Sequence, residues 1–161
     1  MPRIEEKIEV SVARADVFKF CHDVKQRPQW DEQVDNVEIL SSGPLRLGSL
    51  VRVDARQGGA VFTWDAEVAA YTFLQTSRVR VLDAAKTSPF GRGSELIWEF
   101  ESVGTGTRLT WVWDYKPNGF MARIMDGLGR RSATRRAIRR SLANLKKMVE
   151  AGARAGAGSR E

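Results

Sequence analysis

Apolar and polar residues alternate in short runs along most of this chain, and the pattern then gives way once, near residue 119, to a helical period. Ile8, Val10 and Val12 share one side of the first run, with Lys7, Glu9 and Ser11 on the other. The same parity returns in Val37 and Ile39, in Val51, Val53 and Ala55, and in Phe62, Trp64, Ala66 and Val68. It continues in Val79 and Val81, in Leu96, Trp98 and Phe100, and in Leu109, Trp111, Trp113 and Tyr115. A period of two places one side of each strand on a core and the other in water, which is the habit of antiparallel sheet, because parallel strands are usually covered on both faces. Short joints at Gln57-Gly58-Gly59-Ala60 and Gly104-Thr105-Gly106-Thr107 read as hairpin turns, and 84–93 reads as a longer mobile loop.

Two helical turns are expected between the first two strands, one around Val17, Phe18 and Cys21 and one around Trp30, where Pro28 interrupts the pattern. After Pro117-Asn118-Gly119 the 3.6 period holds to about Val149 and predicts one long helix, while the small, Gly-rich stretch 151–161 reads as a disordered tail. The expected organisation is therefore one α+β domain over 1–150. One helix facing about seven strands can cover their apolar side only if the sheet bends around it. A sheet bent in this way leaves a cavity wherever the helix does not fill it.

Composition narrows the functional classes. At 161 residues with one cysteine, Cys21, and one histidine, His22, the chain has no internal disulfide and no ligand set for a structural zinc. No metal is expected, and no cofactor either, since 91–94 and 104–107 are Gly-rich but lead into strands and match no phosphate-binding fingerprint. No apolar run suffices for a transmembrane helix and no leader pattern opens the chain, so the expected location is the cytoplasm. The net charge is +6, unevenly placed: residues 1–118 carry 15 Lys/Arg against 17 Asp/Glu, residues 119–150 nine against two. The basic residues spread around the helix and no nucleic-acid motif accompanies them, so nucleic acid is not expected as a partner, and weak contact with an anionic membrane is the lesser alternative. Monomer and homodimer both remain open.

The order of elements resembles the START-like SRPBCC superfamily on its polyketide cyclase/dehydrase and lipid-transport side. The residues that carry the resemblance are Val17-Phe18-Lys19-Phe20, then Pro28-Gln29-Trp30-Asp31, the Gly106–Trp111 strand, and Gly127-Leu128-Gly129 ahead of the Arg-rich helix. It covers roughly residues 3–150 and implies a helix-grip fold, a curved seven-stranded antiparallel sheet around a long C-terminal helix, with an apolar ligand between them. In polyketide cyclases of this kind the strand matching Phe62–Val68 turns Ser and Arg inward after its Trp; here Trp64 matches but Ala66 and Val68 follow. That departure favours binding or transport of a small hydrophobic or amphipathic ligand over cyclase or dehydratase chemistry in the same cavity.

The candidate ligand-binding residues follow. On the sheet they are Phe62, Trp64, Val79, Val81, Trp98, Phe100, Trp111, Trp113 and Tyr115, and on the helix Ile124, Leu128, Arg131, Ser132 and Arg135. At about 100° per residue, Ile124, Leu128, Ile138, Leu142, Leu145 and Val149 form one stripe, and Arg131 and Arg135 fall near its centre with Ser132 on its flank. Buried arginines require an anion, so a carboxylate, phosphate or phenolate on the ligand is one expectation. The other is that Gly127 and Gly129 break the helix and turn both arginines outward. His22 reads as a helix-capping or surface residue, Trp30 as packing, and any proton transfer would fall to Tyr115, Arg131 or His22. Entry is expected between Phe120–Leu128 and the 84–93 loop.

Overall fold

A computed structural model describes residues 1–158. Seven strands form one antiparallel sheet in the order β1-β7-β6-β5-β4-β3-β2. They are β1 Arg3–Val10, β2 Val34–Ile39, β3 Leu50–Gln57, β4 Ala60–Thr72, β5 Thr76–Ala84, β6 Glu95–Val103 and β7 Gly106–Asp114. All but one join are between sequence neighbours; β1 pairs with β7 from Arg3↔Asp114 to Val10↔Thr107, so the first and last strands close one side of the sheet. The β3–β4 hairpin turns on Gly58 and Gly59, whose φ of 57° and 84° suits a tight two-residue turn that side chains would strain. β4 is the longest strand, and its pairing with β5 slips between Asp65 and Ala66 and again between Val68 and Ala70. Such bulges bend a strand and increase its twist, and here they curve the sheet over the helices.

The alternating residues point as their parity requires. Val51, Val53, Phe62, Trp64, Ala66 and Val68 are buried from β3 and β4, and Leu96, Trp98, Phe100, Leu109, Trp111 and Trp113 from β6 and β7. On the convex face the partners Ile97 and Val112 are also buried, a departure from strict alternation at the centre of the sheet. Helices α1 (Arg14–His22) and α2 (Arg27–Trp30) follow β1 as expected and cover part of the concave face.

The long C-terminal helix departs from expectation in two ways. It is interrupted: α3, Phe120–Met125, leads into a π-type turn, Asp126–Arg130, and only then into α4, Arg131–Gly158. Gly129 breaks the turn with φ 124° and ψ −7°, a backbone that an L side chain rarely adopts. The period therefore loses phase between residues 125 and 131. Downstream, Ile138, Leu142, Leu145 and Val149 are buried as predicted, whereas Ile124 and Leu128 are 41% and 74% exposed. The expected disordered tail is also corrected over 151–158, where α4 continues to Gly158; the last three residues of that expectation lie outside the described residues.

The 84–93 segment is not an open loop. Ser88, Phe90 and Gly91 are buried, and Asn118 donates from Nδ2 to the carbonyls of Ala85 and Ser88 at 3.2 and 3.0 Å. The Gly91 amide donates to Lys116 at 2.8 Å, and Phe90 bridges to Pro117. The ring of Phe90 thereby becomes part of the core.

Candidate functional site

Two narrow cavities, of about 50 and 60 Å³, lie under the concave face and meet at a waist formed by Arg27, Trp64 and Leu96. The first lies beneath α4, between Ile138, Phe62, Phe90, Trp111 and Trp113. The second lies beneath α1, between Cys21, His22, Val53, Ser77, Val79 and Trp98. The long helix thus roofs only half of the interior, and the short helices roof the rest.

Rings dominate the wall of the first cavity, whereas valines such as Val37, Val51, Val53, Val68 and Val79 make up much of the second. Trp98 and Trp111 meet edge to face at 5.6 Å, Trp64 and Trp113 lie 6.3 Å apart, and Phe90 stands edge-on to Trp113 and Tyr115 at 5.2 Å each. Such contacts add about 0.5–1.5 kcal/mol each to the area they bury. Trp30 packs α2 onto Trp98 and Trp111, in line with the structural role read from its position.

The charged residue at the centre is Arg27. Its guanidinium carbon lies 4.6, 5.1 and 5.4 Å from the ring centres of Trp98, Trp30 and Trp111. Its Nε donates to Oδ2 of Asp31 at 2.6 Å, and the Asp31 side chain is 1% exposed. Asp31 also accepts from the Ser141 hydroxyl at 3.2 Å and the Gln33 amide at 3.1 Å, which ties α2 to α4. Full satisfaction of the carboxylate is what makes a buried pair tolerable. The sequence contains a signal for this pair, because Arg27, Trp30 and Asp31 stand at i, i+3 and i+4, one face of a helical turn.

Of the helix residues expected at the site, none lines either inner cavity. Arg131 is exposed and donates from Nη2 to the Arg3 carbonyl at 3.1 Å; Ser132 is exposed; Arg135 pairs with Glu6 at 3.0 Å at the edge of the sheet. Glu6 also takes Arg139, at 2.8 Å. Glu6 has the parity of Ile4 and Ile8, facing the helix side, so it supplies the anion that an arginine near the stripe needs. Two more basic side chains of α4 reach the body, Arg140 at Glu32 and Lys146 at the Glu9 carbonyl, while Lys146 also pairs with Glu150 on its own helix. The basic helix is held to an acidic body by these pairs. Among the described residues Arg123, Arg136 and Lys147 have no ion-pair partner.

On the sheet, Phe62, Trp64, Val79, Trp98, Trp111 and Trp113 line the cavities. Val81 and Phe100 are buried beside them, Phe100 against Phe18 at 5.0 Å. Tyr115 is buried, and its hydroxyl donates to Asp126, which pins the π-type turn to the end of β7; burial and this bond push the phenol above its ordinary range. The expected way in, between Phe120–Leu128 and 84–93, is an open groove of about 690 Å³ reaching Met121, Met125 and Leu128. Apolar strand residues that line the cavities outside the expected set are Val34, Val37, Val51, Val53, Ala55, Val68 and Leu96, and Phe90 joins them from between Pro89 and Gly91.

His22 occupies the wall of the second cavity, not the surface. A backbone carbonyl can only accept, so Nδ1–H donates to the Phe18 carbonyl at 2.7 Å and Nε2 accepts from the Ser77 hydroxyl at 2.8 Å. Burial lowers its pKa to about 4 and keeps the ring neutral at pH 7. Burial likewise pushes the Cys21 thiol well above its usual range, away from the reactive thiolate.

The family described as polyketide cyclase/dehydrase and lipid transport matches residues 1–150. A putative polyketide cyclase of Streptomyces cyaneus is 24% identical over 111 residues, 69% of this chain and 70% of that protein. Among solved structures, an aromatase/cyclase from a Streptomyces species superposes with a TM-score of 0.76 at 18% identity, covering 92% of this chain and 93% of its own. The protein TTHA0849 of Thermus thermophilus gives 0.75 at 19% identity, with coverage of 94% and 99%. A START superfamily protein of Mycobacterium smegmatis gives 0.70 at 16%, with coverage of 92% and 97%. At these identities the structures establish a shared helix-grip fold.

Proposed function

The chain belongs to the polyketide cyclase/dehydrase and lipid-transport family, and from that premise we propose that residues 1–150 bind or carry a small hydrophobic or amphipathic molecule in the paired cavities under the sheet. The observation that carries this reading is the wall itself: Phe62, Trp64, Phe90, Trp98, Trp111 and Trp113 surround space that neither helix fills. Sites for small molecules are typically apolar and aromatic with few placed polar groups, and the polar groups here are Arg27, Asp31, Gln33, Arg56, His22 and Ser77. The cavities are narrow, so the ligand is slender or flat, or the roof shifts to admit it.

Native mass spectrometry of the purified protein, followed by solvent extraction, tests this reading. A co-purified apolar molecule, or quenching of tryptophan emission by an added hydrophobic probe, is expected. Ala55 lines the first cavity, and Ala55→Leu places a side chain in that space; probe affinity should fall while the protein stays folded. An empty protein that no probe quenches contradicts the reading.

A second reading, an enzyme of the cyclase or dehydratase type, draws on the His22–Ser77 contact, which places a tautomer-fixed imidazole at a cavity wall. A base with a pKa of about 4 takes protons weakly at neutral pH, which supports binding as the principal role. Turnover that disappears in His22→Gln with ligand affinity retained would favour the enzyme.

A further inference from the structure

Resting on the binding reading above, we infer that the ligand is a neutral, flat molecule whose carbonyl or ether oxygen accepts a hydrogen bond from Arg27 at the waist. A charge census of the interior is the first support. Arg27 and Asp31 form one compensated pair, and the other cavity-lining cation, Arg56, is directed to Asp35. An anionic ligand would therefore enter a low-dielectric space with no uncompensated positive charge to meet it, at the cost of its hydration.

The second support is the donor balance. Among the described residues Arg27 has Asp31 as its only hydrogen-bond partner, reached through Nε and Nη2, which leaves Nη1 without a protein acceptor in a side chain that borders both cavities. The rings that enclose it have the same shortage, since the indole N–H groups of Trp30, Trp98 and Trp111 are buried and have no hydrogen-bond acceptor. Their edge-to-face packing offers at most a ring face, a weak acceptor. Those indole groups are closed off, whereas the Arg27 side chain borders both cavities, so Arg27 is the donor that a ligand acceptor can reach. The narrow, ring-lined first cavity supplies the third support, because it favours a planar skeleton.

Three naphthalenes of similar size separate the terms: 2-acetylnaphthalene carries a neutral acceptor, 2-ethylnaphthalene none, and 2-naphthoate a full negative charge. Calorimetric titration of the whole protein should place 2-acetylnaphthalene on the order of tenfold tighter than 2-ethylnaphthalene, with 2-naphthoate weakest, since a hydrogen bond from a charged donor is strong. In Arg27→Gln, checked for folding by circular dichroism, the advantage of the ketone should shrink several-fold; the wild-type ranking stands independently of that variant. Equal affinity for ketone and hydrocarbon overturns the inference and leaves the apolar pocket intact. Tightest binding of 2-naphthoate overturns it in favour of an anion site. If no probe binds, the pocket reading falls and the inference with it.

Discussion

The sheet and the C-terminal helical stretch both face the interior, yet they contribute to it unequally. Every strand from β3 to β7 sends ring or aliphatic side chains under the sheet, whereas α3 and the π-type turn leave Phe120, Met121, Ile124, Met125 and Leu128 at least 41% exposed. Apart from Ala122, only α4 returns to the core. A period of two tolerates bulges because each residue still has one of two faces, and β4 keeps Phe62, Trp64, Ala66 and Val68 buried across a slip in pairing. A period of 3.6 has no such tolerance, and one irregular turn at Gly129 changes the side that every earlier residue presents.

This contrast can be broken by substitution. The largest effect is expected within the helix: Leu145 is fully buried and Leu128 is 74% exposed. In urea unfolding, Leu145→Ala should cost about 2–5 kcal/mol and Leu128→Ala less than about 0.5 kcal/mol. Similar losses for the two would mean that the helix keeps one continuous stripe.

The next effect lies on the boundary between sheet and short helices, at His22. Its folded pKa of about 4 lies below the ordinary 6.5, so the unfolded chain binds the extra proton first as pH falls. Stability from the neutral ring is complete above about pH 6.5 and is lost as pH drops toward 4, by roughly 2–3 kcal/mol at the lower end. Melting curves of wild type and His22→Gln should converge across that window. Parallel curves would show a solvated histidine.

Smaller changes sharpen the comparison at the kink and the edge. Gly129→Ala introduces a Cβ with no atom within 4 Å, so its cost is backbone strain alone, on the order of 1–2 kcal/mol in thermal or urea unfolding. Neutral behaviour there would point to an unbroken helix. Glu6→Gln removes the shared partner of Arg135 and Arg139, both well exposed, and should cost no more than about 1 kcal/mol, decreasing with salt.

The parts of the fold that could be read from the chain are those where one local rule acts alone. Strand parity located the aromatic wall from Phe62 to Trp113, and turn residues such as Gly58-Gly59 located the joints. The charged centre was less visible because it depends on two rules acting together. Arg27 and Asp31 look like surface residues until α2 is placed beneath α4, and only then does their helical spacing explain a buried pair. Arg131 and Arg135 gave the opposite impression: both lie in α4 in phase with Ile138 and Leu142, yet that part of the stripe runs along the sheet edge, where the Arg3 carbonyl takes Arg131 and Glu6 takes Arg135. Phe90 became part of the wall through long-range bonds between 84–93 and Lys116–Asn118, which no local period records.

The difference between the two walls can be seen directly in the amide and indole spectrum of ¹⁵N-labelled protein titrated with 2-acetylnaphthalene. The account predicts that the indole signals of Trp64, Trp98 and Trp111, which line the cavities, shift together and saturate, while the amides of Met121 and Leu128 stay in place. Saturable shifts at Met121 and Leu128 with unmoved indoles would put the ligand in the outer groove and contradict it.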